Sequence, residues 1–100
     1  MSKVVLRSAI EADINGVLEL YRHLNPNDAA PEPAKARHAW SSIMASDIVT
    51  LVVAELDGRL ISCCTLVIVP NIGRGARPFA LIENVVTAPD QRRQIGRAHV

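Results

Sequence analysis

The sequence predicts an α/β (α+β) domain: one short strand, two helices and three further strands, with a mainly antiparallel sheet and the helices packed on it. Three observations carry that expectation. Apolar residues recur at helical spacing twice between residues 10 and 45, two β-branched runs flank the Asp57-Gly58 pair, and another apolar run fills residues 79–87.

Val4 to Arg7 reads as the first strand, and the Ser8 to Glu11 spacing fits a capping box, which satisfies the orphan amides that open a helix. Ile10, Ile14, Val17, Leu18 and Tyr21 then form one apolar stripe. Gly16 within that helix costs about 1 kcal/mol relative to Ala. Asn25 to Pro33 (NPNDAAPEP) concentrates turn formers and prolines and must be a loop. Pro33 suits a first helical turn, and Ala36, Trp40, Ile43 and Met44 make a second stripe that ends near Ser46. Ile48 to Leu56 and Arg59 to Val69 are rich in Val, Ile, Leu and Thr. They flank Asp57-Gly58, the pair that a two-residue type I′ turn prefers because both central residues need positive φ, so an antiparallel hairpin is expected. Pro70 to Pro78 (PNIGRGARP) is a basic connection, and Phe79 to Thr87 is a strand, apolar apart from Glu83 and Asn84. Pro89 ends it, and Gln91 to Val100 reads as a basic loop feeding the start of a third helix.

Composition narrows the function classes. At 100 residues, with 49% hydrophobic and 21% charged, the chain has room for one domain and is not disordered. Its longest apolar run, Leu60 to Pro70, is broken by Ser62 and Thr65 and falls short of the roughly 20 residues that a membrane span needs, so a soluble protein with no membrane partner is expected. The first ten residues hold no apolar signal segment, which predicts a cytoplasmic address. Cys63 and Cys64 are neighbours in a strand and point to opposite faces, so they cannot easily bridge. No second Cys or His pair stands at ligand spacing, so no metal is expected. Residues 1–70 carry a net charge of −2 and residues 71–100 carry +3, all of the latter's basic groups being arginine. Arginine's planar fork suits phosphate, which suggests an anionic ligand near the C-terminal end. A plain solvated surface accounts for the same residues. The basic segment GRGAR has no interleaved aromatics, so nucleic acid is not an expected partner.

The chemistry concentrates in Leu81 to Val100 (LIENVVTAPDQRRQIGRAHV), where an apolar strand holding one carboxylate meets a Pro-Asp break and then an Arg/Gln/Gly turn opening a helix. Unpaired amides and the positive end of a helix dipole converge there, an arrangement that cradles phosphate or pyrophosphate.

These residues resemble the GNAT acyltransferase superfamily, which moves an acyl group from acyl-CoA to an amine. The resemblance covers essentially the whole chain: VVLRSAIEADINGVLELY is similar to that fold's first strand and helix, VAELDGRLISCCTLVIVP to its second and third strands, and IENVVTAPDQRRQ to its fourth strand and CoA loop. The implied architecture is a partial GNAT fold of strand, two helices and three strands, stopping at the start of the third helix. The family signature there is Arg/Gln-x-x-Gly-x-Gly/Ala. Arg92-Arg93-Gln94 begins it and Ile95-Gly96-Arg97-Ala98 follows without the first glycine; an alternative alignment starts at Gln91 and puts Gln94 in the glycine position.

The resemblance implies acetyl-CoA as co-substrate, with Arg92, Arg93, Gln94, Gly96 and Arg97 around its pyrophosphate and Val85, Val86 and Thr87, at a bulged strand end, along its pantetheine arm and thioester carbonyl. It makes Glu83 the candidate catalytic base, direct or through water. A structural or positioning role, paired with Arg74, Arg77 or a backbone amide, is the other reading of Glu83. Tyr21, His23, Asn25 and Asn27 fall where the family often borders its acceptor pocket; His23 and His38 also read as surface residues and Trp40 as core.

The implied function is an N-acetyltransferase that passes acetyl from acetyl-CoA to a primary amine of a small molecule or peptide. Residues 1–100 are expected to be a single incomplete GNAT-like domain, without turnover as given. Residues 95–100 can be encoded by DNA matching a common sequencing adapter, so the native reading is expected to end near Arg93 and residues 94–100 to form a non-native tail. The competing class is a non-catalytic half-domain that binds a partner through an exposed strand edge, and a homodimer could form through the same edge.

Overall fold

The computed structural model describes residues 3–92. β1 (Val5–Ser8), β2 (Val49–Leu56), β3 (Arg59–Val69) and β4 (Phe79–Thr87) form one antiparallel sheet in the order β1-β2-β3-β4. α1 (Ile14–Leu24) and α2 (Pro33–Ala45) connect β1 to β2.

The sheet's faces differ because register fixes which side chains line up. Val53 sits opposite Cys63, and Cys63 opposite Val86, so the three form a row on one face. Val17 and Leu20 of α1 and Trp40 of α2 join that row with Leu51 and Ala88 in the buried core, and Ile43 and Met44 pack at its margin. On the other face Leu6 is 61% and Ile82 63% exposed, uncovered among the described residues.

The hairpin forms as the Asp57-Gly58 pair requires, with φ of 52° and 80° at the two turn residues. The start of the first helix departs from expectation. Ser8 lies in β1, opposite Val52, and is not available as a cap. The cap is made by Asp13, whose carboxylate accepts the Ile10 N–H at 2.8 Å. A 3₁₀ turn, Glu11–Asp13, therefore precedes α1, and the helix opens at Ile14. Asp13 is held in place by Arg7, which donates to both its oxygens at 2.7 and 3.1 Å and to Glu55 at 2.7 Å. α2 begins at Pro33, as its fixed φ favours, with the Glu32 carboxylate accepting the Ala34 N–H. Between β3 and β4 the chain makes a turn at Gly73–Ala76 in which Arg74, Gly75 and Ala76 all have positive φ. No helix among the described residues is long and apolar enough to cross a membrane.

Candidate functional site

Among the described residues β4 is the edge strand, bonded to β3 on one side only. Its register with β3 breaks midway. Glu83 sits opposite Thr65 and Val86 opposite Cys63, so three steps along β4 match two along β3. The extra residue is absorbed at Asn84 and Val85, where Asn84 takes a φ of 52°. Asn is among the few non-glycine residues that enter this left-handed region readily. This bulge falls one residue earlier than the sequence suggested, and pairing resumes at Val86 and Thr87.

The resumed pairing is held by side chains as well as backbone. The Ser62 hydroxyl donates to the Val86 carbonyl at 2.9 Å and lies 3.0 Å from the Thr87 hydroxyl. The Ala88 N–H donates to the Ile61 carbonyl at 2.8 Å. Antiparallel ladders alternate, so with Ala88 bonded inward the N–H and C=O of Thr87 point to the open edge. Of the three β4 residues expected at a ligand, Val86 contributes its side chain to the core, Val85 is 60% exposed, and Thr87 is partly buried.

Glu83 lies on the helix-bearing face, since its cross-strand partner Thr65 faces the phenol of Tyr21. Asn84 faces that phenol too. Burial pushes the Tyr21 phenol above its ordinary pKa, and the nearby polar side chains of Thr65 and Asn84 oppose the shift. Glu83 itself is exposed and makes no ion pair or hydrogen bond among the described residues. The expected pairing with Arg74 or Arg77 is not formed: Arg77 donates its Nε–H to the Arg74 carbonyl at 3.2 Å. Tyr21, Thr65, Glu83 and Asn84 thus form one polar cluster. The sequence pointed to Glu83, the only acid in an apolar strand, and left Asn84 and Thr65 out; the Glu-Asn pair interrupting that strand was the available signal.

Two clefts flank α1. The larger, about 1060 Å³, opens between α1, the following loop and the start of α2, and its lining includes Tyr21, His23, Asn25, Asp28 and Arg37. Asn27 is not part of that lining. The smaller, about 360 Å³, lies between the α1 N-terminal half, the hairpin turn and Ala88. Trp40 is a core residue, its indole N–H donating to the Glu11 carbonyl at 3.2 Å.

Beyond β4, a 3₁₀ turn at Pro89–Gln91 is tied to the hairpin by Arg59, which donates to both oxygens of Asp90 at 2.9 and 3.2 Å. Arg92 is exposed at the end of this turn. Arg93, Gln94, Gly96 and Arg97 lie outside the described residues.

Residues 14–100 match the Acetyltransferase (GNAT) family. The fold is similar to that of a protein of Agrobacterium tumefaciens str. C58 described as an acetyltransferase, with 42% identity and a TM-score of 0.87 over 94% of this chain and 66% of that one. It is also similar to a Trypanosoma brucei acetyltransferase, with 28% identity and a TM-score of 0.76 over 96% of this chain and 68% of that one. An aminoglycoside N-acetyltransferase solved in complex with CoA shares the fold at 18% identity and a TM-score of 0.73, over 98% of this chain and 67% of that one. The chain thus spans about two thirds of the length of these structures. No curated protein matches it.

Proposed function

Because the chain belongs to the Acetyltransferase (GNAT) family, we propose that the whole protein transfers acetyl from acetyl-CoA to a primary amine, with the reaction centred on the β4 bulge. The observation that carries this reading is the juxtaposition of an unpaired carboxylate, Glu83, with an open strand edge immediately after it.

Acetyl-CoA supplies an activated acyl group, and its arm would run along the outer edge of β4 at Val85, Val86 and Thr87. The fit is physical: the Thr87 N–H and C=O face outward, and the exposed Val85 leaves the approach clear. An N–H aimed at the thioester oxygen stabilises the negative charge that develops there. Glu83 takes a proton from the incoming ammonium, directly or through one water, so that the nitrogen lone pair can form the new C–N bond. The C–S bond breaks as the carbonyl re-forms, the thiolate takes the second proton shed by the new amide nitrogen so that CoA departs as a thiol, and Glu83 returns its proton to water. Arg92 and Arg93, directly after the Pro89–Gln91 turn, supply donors for the pyrophosphate. The large cleft beside Tyr21 lies on the acceptor side.

Acetyl-CoA-dependent thermal stabilisation and thiol release with an amine present test the proposal. Glu83→Gln is expected to cut turnover by about 100-fold or more while leaving stabilisation by acetyl-CoA intact. Turnover equal to wild type in that variant, or no stabilisation by acetyl-CoA, overturns it. The second reading, a half-domain that docks by pairing its free β4 edge, is favoured by the exposed Ile82 and Val85 on that strand. It predicts partner-dependent folding with no response to acetyl-CoA.

A further inference from the structure

Beyond the carboxylate, β4 carries a specific surface on the helix-bearing face. Phe79, Leu81 and Glu83 alternate along the strand and sit opposite Val69, Val67 and Thr65, so all three project to the same side. Phe79 is 48% and Leu81 46% exposed. Among the described residues, an aromatic and an aliphatic side chain standing half-open in a row that ends at an unpaired carboxylate leave apolar surface uncovered beside a single negative charge. Charge on the far side has the opposite sign: Arg74 and Arg77, both exposed, occupy the connection that leads into Phe79. Successive same-face positions are about 7 Å apart, so the row offers roughly 7–14 Å of apolar contact measured from Glu83.

We infer that the acceptor is a monoamine whose ammonium meets Glu83 and whose apolar body lies along Leu81 and Phe79. The inference rests on the acetyltransfer reading for the word acceptor, but the binding it describes does not depend on CoA. A polyamine or an aminoglycoside-like polycation finds one carboxylate at the row and arginines beyond it, so its further charges are repelled there. A bare amino sugar would bury hydroxyls against Leu81 and Phe79 without hydrogen bonds. Only an ammonium on an apolar body matches both ends of the row.

NMR titration of the chain with 4-phenylbutylamine, spermidine and glucosamine tests this. 4-Phenylbutylamine is expected to bind about tenfold or more tightly than either of the others, the discrimination available from a small apolar contact. Phe79→Ala and Leu81→Ser should abolish that preference. Both side chains are half-exposed, so the variants are expected to keep the native spectrum elsewhere. Glu83→Gln should weaken all three amines, and Ile82→Ser, on the opposite face of the same strand, should change nothing. Equal or tighter binding of spermidine or glucosamine overturns the inference, as does a preference that survives Phe79→Ala and Leu81→Ser together. The two proposals fail separately. Loss of acetyl-CoA stabilisation with this amine preference intact removes the acetyltransfer reading alone, whereas acetyl-CoA stabilisation without the preference removes this inference alone.

Discussion

The Arg7 guanidinium is shared between Asp13, on the turn before α1, and Glu55, on β2, each at 2.7 Å. The hydrogen bonds from Arg7 hold the Asp13 carboxyl below its ordinary 3.8, aided by the Ile10 N–H and opposed by burial. A depressed folded-state value means the contribution is present above 3.8 and is lost as pH falls through the lower folded value. Asp13→Asn is therefore expected to cost about 1–2 kcal/mol at neutral pH, as for hydrogen bonds to charged groups, with the gap to wild type closing in acid; urea unfolding across that range measures it. Arg59 and Asp90 make a similar fork in full exposure, where salt screens the attraction and little stability follows. At Cys63, burial raises the thiol to about 11. A raised value favours the neutral form in the folded state, so this contribution is present below 9.0 and is lost as pH rises toward 11. Near pH 8, Ellman's reagent should accordingly titrate the partly exposed Cys64 in the native chain and reach Cys63 only on unfolding.

Among the elements, α1 carries a glycine for a packing reason. A Cβ on Gly16 would sit 2.8 Å from Leu60 Cδ1 and 3.1 Å from its Cγ. Gly16→Ala thus gains helix propensity but collides with a side chain at the margin of the core, and a net loss of about 1 kcal/mol is expected. In a Leu60→Ala background the same change should become stabilising by up to about 1 kcal/mol, a reversal that a double-mutant cycle by denaturant unfolding would read. The sequence predicted the hairpin turn, β3 and β4 to the residue because Asp57-Gly58 and Pro78 are local signals, whereas β2 opens at Val49, one residue after the expected Ile48. It misplaced the cap of α1 because Ser8 is claimed by pairing with β2, a contact 44 positions away in the register that no local pattern carries. The bulge was legible only in outline: Glu83-Asn84 marks a break, but its position depends on how β3 lies alongside.

At the scale of the whole molecule, the helices cover one face of the sheet and leave the other open among the described residues. Exposed Ile82 and Val85 on an edge strand favour association, so Ile82→Lys is expected to shift the chain toward monomer in light scattering coupled to size-exclusion chromatography. Of the candidate site, Glu83 was readable because a lone acid in an apolar strand needs a reason. Tyr21, His23 and Asn25 were readable through the family resemblance, which sets them beside the acceptor pocket, and all three line the larger cleft. Thr65 was not, because its closeness to Tyr21 comes from the packing of α1 across β3.

The extra residue in β4 has a bearing on how the strand could be edited. Odd positions 79, 81 and 83 and even positions 86 and 88 share the helix-bearing side, so the parity flips once, at the insertion. Excising Val85 would cancel that flip and leave Val86 and Ala88 still turned inward. A one-residue deletion, ordinarily ruinous in a sheet, should here spare the interior and straighten the strand alone, separating what the kink does for chemistry from what the strand does for folding.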